Sequence, residues 1–288
     1  MNTKFSKAFF EITNVCNAEC SFCPKTKRKK QFIDREHFEL VISKLEGHIE
    51  HLYFHLMGEP LLHPDVSLFA KSAKDKGFKV MLTTNGILSS SKGKEVISEG
   101  NIHKISISLH SFEANVYLLS LEEYLLSCFD LAKFASENGT IAVMRLWNSD
   151  EGKNNALDKE FTSSVISLAE KYFGNGWAKS RSGYKLKDKL FIEFGDSFEW
   201  PTQSHIINEG YQFCYALRNQ IGILCDGTVV PCCLDSDGNI PLGNIFNESF
   251  EDIIFSERAK AIYDNFSNGV AIEETCKTCG FVRRFSLG

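Results

Sequence analysis

The sequence predicts an α/β protein, built of βα units around a parallel sheet and followed by a smaller cysteine-rich C-terminal domain. Short apolar runs alternate with longer helical patterns over the first two thirds of the chain, and from about Gln203 that rhythm stops and cysteines take over. The 288 residues, 43% apolar and 24% charged, are enough for a sizeable core under an ordinary water-facing surface.

Taken in order, the candidate strands are residues 8–13, 51–55, 79–83, 104–109, 141–146 and 190–194. Between them lie helical stretches at 35–45, 66–76, 121–137 and 159–172, where apolar residues recur at helical spacing. Six such units make an incomplete barrel, although periodicity alone fits a doubly wound sheet as well. The barrel is expected over residues 1–202 and the second domain over 203–288, where Cys214, Cys225, Cys232, Cys233, Cys276 and Cys279 lie. A domain that small draws part of its stability from bound metal.

Composition excludes several classes. A net charge of -5 offers no general attraction to nucleic acid or to an anionic membrane. No apolar run approaches the roughly 18 residues that span a bilayer, and residues 1–7 lack the apolar stretch of a secretion signal. The ten cysteines are therefore expected to be reduced and metal-bound in a cytoplasm.

Cys16, Cys20 and Cys23 stand at C-x3-C-x2-C spacing, with Phe22 just before the third. Three thiolates can hold three irons of a four-iron cluster and leave the fourth open to a small molecule. The competing reading is zinc, which more often pairs C-x2-C or C-x4-C units with a second pair nearby.

The stretch Cys16-Asn17-Ala18-Glu19-Cys20-Ser21-Phe22-Cys23 resembles the C-x3-C-x-aromatic-C motif of the radical S-adenosylmethionine (radical SAM) enzymes. That resemblance implies a partial (β/α)6 barrel and a [4Fe–4S] cluster on Cys16, Cys20 and Cys23 that binds S-adenosylmethionine, with Phe22 as the motif's aromatic residue. Met57-Gly58-Glu59-Pro60 looks like the Gly-Gly-Glu motif that receives the methionine amine, so Gly58 and Glu59 carry over while Met57 replaces the first glycine. Thr83-Thr84-Asn85-Gly86 resembles the ribose-side motif, which implies a sugar contact for Asn85.

Strand alternation puts Ser106, Ser108 and His110 on one face of the fourth strand. The resemblance assigns Ser108 to the ribose or carboxylate of S-adenosylmethionine and leaves His110 as a substrate-facing, catalytic candidate. Arg145 interrupts the apolar fifth strand, and a buried guanidinium there calls for an anion, either the methionine carboxylate or an internal acid.

In the C-terminal part, Cys214, Cys232, Cys276 and Cys279 resemble the ligands of a Twitch domain, the shortened SPASM domain. The spacing is most like that of 2-deoxy-scyllo-inosamine dehydrogenase, and it implies one auxiliary [4Fe–4S] cluster. Cys225 and Cys233 are rival ligands, a zinc ribbon is the alternative for these thiols, and Cys128 is expected in the core.

What the resemblance implies for function is cleavage of S-adenosylmethionine to a 5'-deoxyadenosyl radical, hydrogen abstraction from substrate, and passage of an electron to the auxiliary cluster. Dehydrogenation of a small molecule or modification of a peptide would result. Redox-neutral epimerisation or rearrangement, and a non-catalytic zinc or iron–sulfur module, are the alternatives. The few residues ahead of the first strand leave no space for a leader-binding domain, so a peptide substrate is expected to need a separate recognition partner or to be small. An electron donor such as flavodoxin or ferredoxin is expected, and Lys25, Lys27, Arg28, Lys29 and Lys30 offer it a basic surface unless they form a solvated flexible loop. Glu199, beside Trp200, either faces substrate or belongs to a packed linker.

Overall fold

The computed structural model describes residues 3–112, 115, 119–149, 156–196, 198–204 and 206–285. Its elements begin with β1 (Phe5–Phe10), α1 (Arg35–Leu45), β2 (Ile49–Tyr53), α2 (Val66–Asp75), β3 (Lys79–Thr84), α3 (Lys94–Ser98), β4 (Lys104–Ser108), α4 (Leu121–Glu137), β5 (Ile141–Ser149) and α5 (Ala156–Phe173). They continue with β6 (Ala178–Ser180), β7 (Gly183–Lys187), β8 (Leu190–Asp196), β9 (Gln220–Ile223), β10 (Thr228–Val230), β11 (Gly243–Asn244), α6 (Phe250–Ile254), α7 (Glu257–Ser267) and α8 (Glu274–Lys277).

The chain divides into two compact units. The first holds residues 1–16, 23–80 and 198–288. In it β1 runs parallel to β2 on one side and to β9 on the other, with Lys7 opposite both His51 and Gln220. Antiparallel β10 and then β11 extend β9. Ala8 and Phe10 are fully buried and Phe9 nearly so, as expected of a parallel strand covered on both faces. Helix α1 starts where Asp34 accepts a hydrogen bond from His37 N at 2.9 Å, and its buried stripe of Phe38, Val41, Ile42 and Leu45 keeps helical spacing. Phe38 stacks between Phe10 and Phe69, with ring centroids 5.4 and 3.8 Å away.

The second unit holds residues 17–22 and 81–197. Here β3, β4, β5 and β8 are parallel neighbours, and β7 and β6 close the edge as an antiparallel hairpin. Helix α4 opens on a capping box between Ser120 and Glu123 and buries Tyr124, Leu125, Cys128 and Phe129. Cys128 is core, as expected, and burial pushes its thiol up to about 12.

Three differences from the sequence reading matter. Strand β1 ends at Phe10 rather than at residue 13, because Ile12 and Asn14 bond outward to the returning chain: Ile33 N donates to Ile12 O at 3.0 Å and Asn14 N to Gln31 O at 3.3 Å. Strand β4 stops at Ser108 and passes into a 3-10 turn over Leu109–Ser111, so His110 does not share a strand face with Ser106 and Ser108. The β6–β7 hairpin is short and largely exposed, without the apolar alternation that would announce it; a Cβ at Gly183 would stand 2.1 Å from Ile192 O, so glycine alone permits the approach. Among the described residues no helix is long and apolar enough to cross a membrane.

Candidate functional site

In the first unit the chain leaves β1 through Glu11, whose carboxylate is fully buried. Arg28 Nη2 lies 2.7 Å from both carboxylate oxygens, and the backbone N–H groups of Met57 and Cys225 donate to the same carboxylate at 3.2 and 3.3 Å. The Cys225 thiol adds a 3.0 Å bond to it and accepts from Gln31 Nε2 at 3.3 Å. Arg28 Nε donates to Ser236 O at 3.0 Å, while Thr26 Oγ1 and Lys27 N bond Asp237 at 2.7 and 2.9 Å. Arg28 turns inward to a buried acid, whereas Lys25, Lys27, Lys29 and Lys30 stay exposed.

Gly58 has φ +78°, and a Cβ there would stand 2.3 Å from Thr13 O and 2.9 Å from Val15 O. Glu59 N donates to Val15 O at 2.8 Å, and the buried Glu59 carboxylate accepts from Leu61 N at 3.1 Å. The glycine therefore has a packing reason: the Met57–Glu59 backbone presses directly on the approach to Cys16. Cys16 is exposed and Cys23 is half-buried, with Lys25 N donating to its sulfur at 3.4 Å. Burial raises the Cys23 thiol, and the nearby charge of Cys16 acts in the same direction. Cys23 packs with Cys233 against an apolar cluster of Phe9, Leu56, Met57, Leu224 and Val230.

The second unit carries the middle of the motif. Asn85 Nδ2 donates to Asn17 Oδ1 at 2.8 Å, Glu19 N donates to Asn115 Oδ1 at 2.6 Å, and Asn115 Nδ2 lies 3.0 Å from Cys20 Sγ. Phe22 is exposed, its ring centroid 5.2 Å from that of His110. His110 also stacks on Trp147 at 6.2 Å, and its Nδ1 stands 3.2 Å from Arg145 O and 3.4 Å from Trp147 N, donating to the carbonyl in one tautomer and accepting from the amide in the other. Ser108 is half-buried and precedes the 3-10 turn, its carbonyl 3.4 Å from Tyr124 Oη. Arg145 sits half-buried with its guanidinium 4.5 Å over Trp147 and pairs in register with Glu193 on β8. Lys104 is lowered by burial first, with Glu193 opposing and Arg145 reinforcing that shift, which puts all three charges in one neighbourhood.

Burial lowers His110 to about 4. Between pH 6.5 and about 4 the unfolded chain binds a proton at this ring that the folded chain does not, so stability falls as pH drops through that window. Urea unfolding of wild type should lose about 2 kcal/mol more than His110→Gln between pH 7.5 and 5.0. Equal losses would remove the buried neutral ring as the cause.

Back in the first unit, Cys214, Cys232, Cys276 and Cys279 share one neighbourhood. Burial raises Cys232 well above the ordinary thiol range, and charges on Cys233, Cys214, Cys276 and Cys279 add to it. Cys276 is raised by burial and then by Cys214 and Cys279, and Cys214 by burial to about 11 with Cys279 contributing. Cys225 lies instead in the Glu11 network and is pushed up to about 12 by burial and by that carboxylate. Half-buried thiols close enough to oppose each other's ionisation fit a metal cluster, because coordination deprotonates them outright. Among the described residues no group of three or more His, Cys, Asp or Glu is set closely enough to hold a single metal ion. A four-iron cluster binds each thiolate through a different iron and does not require such convergence. Glu199 is exposed and accepts from Ser204 Oγ at 2.9 Å, while Gly280 N donates to its carbonyl at 3.2 Å.

Sequence reasoning passed over Glu11 and Asn115. The first could have been flagged as Arg145 was, as a charge inside an apolar run; the second carries no local signal.

Residues 10–125 match the Radical SAM superfamily and residues 214–280 match the iron-sulfur cluster-binding domain SPASM. A Methanocaldococcus jannaschii protein, named by inference a glycyl-radical enzyme activating enzyme, is 29% identical over 119 residues, 41% of this chain and 43% of that protein. The tungsten-containing aldehyde ferredoxin oxidoreductase cofactor-modifying protein of Pyrococcus furiosus is 26% identical over 106 residues, 35% of this chain and 30% of its own. The chain thus spans less than half the length of these relatives.

Among solved structures, BtrN in complex with AdoMet and 2-DOIA superposes with TM-score 0.63 at 17% identity, covering 97% of this chain and 94% of that one. Native anSMEcpe with bound AdoMet and Cp18Cys peptide gives 0.59 at 14%, covering 95% and 88%. Streptococcus suis SuiB bound to precursor peptide SuiA gives 0.51 at 14%, covering 98% and 71%. At these identities the likeness speaks to the fold, which is the partial (β/α)6 barrel with a C-terminal iron–sulfur domain.

Proposed function

We propose, from the premise that this chain belongs to the radical SAM superfamily and carries a SPASM iron–sulfur domain, that it is an oxidoreductase taking a hydrogen atom and then an electron from a small-molecule or peptide substrate. Its cofactors are S-adenosylmethionine, the [4Fe–4S] cluster that binds it, and an auxiliary [4Fe–4S] cluster. The observation that carries the oxidative reading is the shared, half-buried neighbourhood of Cys214, Cys232, Cys276 and Cys279. Four protein thiolates leave no iron open, which suits that centre to electron uptake rather than to holding substrate.

The assignments follow unit by unit, with the auxiliary domain beginning near residue 203. Cys16, Cys20 and Cys23 hold the first cluster, which together with S-adenosylmethionine supplies the 5'-deoxyadenosyl radical when bound. In the first unit Gly58 and Glu59 receive the methionine amine, a carboxylate being the natural partner of an ammonium group. In the second, Asn85 and Ser108 serve the ribose and Arg145 the methionine carboxylate, while His110, neutral near pH 7, packs Phe22 in place rather than moving a proton. Glu199 is left without a catalytic role. Exposed Lys25, Lys27, Lys29 and Lys30 suit an acidic donor such as flavodoxin or ferredoxin, in a reducing cytoplasm.

The solved neighbours keep the substrate class broad, since BtrN is held with 2-DOIA and anSMEcpe and SuiB with peptides. Anaerobic reconstitution should give about eight irons per chain, four for each cubane, and dithionite should release 5'-deoxyadenosine from S-adenosylmethionine. Zinc without cosubstrate cleavage would overturn this function. Return of the abstracted deuterium to a substrate that is not oxidised would replace oxidation by a redox-neutral outcome.

A further inference from the structure

Within the second unit two side-chain amides grip the cluster loop on either side of Ala18. Asn85 reaches Asn17, and Asn115 reaches both Glu19 and Cys20. The two are themselves linked through Ser111: its Oγ donates to Asn85 O at 2.8 Å, and its carbonyl accepts from Asn115 Nδ2 at 2.6 Å. Asn115 N donates to Phe112 O at 3.1 Å, which anchors the residue's own backbone.

These partners fix which way the Asn115 amide faces. Its oxygen meets an N–H, that of Glu19, and its nitrogen meets a sulfur and a carbonyl oxygen. Turned over, it would set oxygen against oxygen and sulfur, and N–H against N–H. An N–H group is therefore held against Cys20 Sγ by two further bonds that leave the amide no other orientation.

We propose that Asn115 is a positioning residue that seats Cys20 and, by donating a hydrogen bond to its sulfur, raises the reduction potential of the N-terminal cluster. The inference rests on the reading of Cys20 as a ligand of that cluster. Reduction adds an electron to a centre whose charge is partly carried by the thiolate sulfurs, and a donor aimed at one of them stabilises the more negative state. A residue that only closed the loop would change how much cluster is bound and leave the potential of bound cluster alone.

The test compares anaerobically reconstituted wild type, Asn115→Ala and Asn115→Asp by iron content and by a redox titration followed by electron paramagnetic resonance without substrate. The N-terminal cluster is identified as the signal that changes when S-adenosylmethionine is added. In Asn115→Ala the ratio of reduced to oxidised N-terminal cluster at fixed applied potential should fall about tenfold, which is about 59 mV for one electron. Asn115→Asp keeps an acceptor for Glu19 N but has no donor for the sulfur, and its ratio should fall at least as far. An unchanged ratio in the loaded alanine variant overturns the proposal, as does an unchanged ratio in the aspartate variant should alanine fail to load. A wild type with no cubane signal and intact S-adenosylmethionine overturns the functional reading instead, so the two failures are told apart.

Discussion

Cys276→Ala protein is expected to hold about four irons per chain where wild type holds about eight, because losing one of four thiolates opens the auxiliary cluster to solvent and dissolution. Cys214→Ala and Cys232→Ala should behave alike, since the same neighbours appear around each of these thiols. Cys225→Ala should keep about eight irons, because its sulfur faces Glu11 and Gln31 rather than the other cysteines. Cys233→Ala is the sharper control: this thiol lies beside Cys232, yet it packs against the apolar cluster of Phe9, Leu56 and Val230. Iron and acid-labile sulfide analysis reads the result. Loss from Cys225→Ala or Cys233→Ala together with retention in Cys232→Ala would reverse the ligand assignment.

The second large effect is on stability. Glu11→Ala should destabilise the protein by about 3–5 kcal/mol, since Arg28 is left as an unpaired and mostly buried charge. Glu11 is wholly buried and the Arg28 side chain only 13% exposed, so water cannot take over the lost partner. The backbone N–H groups of Met57 and Cys225 lose an acceptor in the same change, which adds to the cost. Glu11→Leu combined with Arg28→Met should recover most of the loss, because removing both charges leaves neither one stranded. Urea unfolding of the single and double variants decides it. A single variant within about 1 kcal/mol of wild type would mean that the pair is far more hydrated than its burial indicates.

Much of this organisation was legible in the residues themselves. Helices α1 and α4 begin where the sequence placed them because their N-caps, Asp34 and Ser120 with Glu123, are local signals. The two iron–sulfur family matches were legible for a different reason, the spacing of the cysteines. What stayed hidden depends on partners far away in sequence. Glu11 is explained only by Arg28, Met57 and Cys225, and Asn115 only by Glu19 and Cys20. Strand alternation carried past Ser108 misplaced His110, because nothing in the local pattern announces the 3-10 turn that re-aims it.

The pairing of β1 with β9 has a consequence for how the chain is made. Lys7 through Phe10 find partners on one side at His51 to Tyr53, but on the other only at Gln220 to Ile223. During synthesis β1 therefore waits with one hydrogen-bonding edge bare until Gln220 to Ile223 have been made. Contacts of such long sequence separation slow folding and leave an apolar edge open to other nascent chains, so β1 should depend on chaperone protection until β9 is available to pair with it.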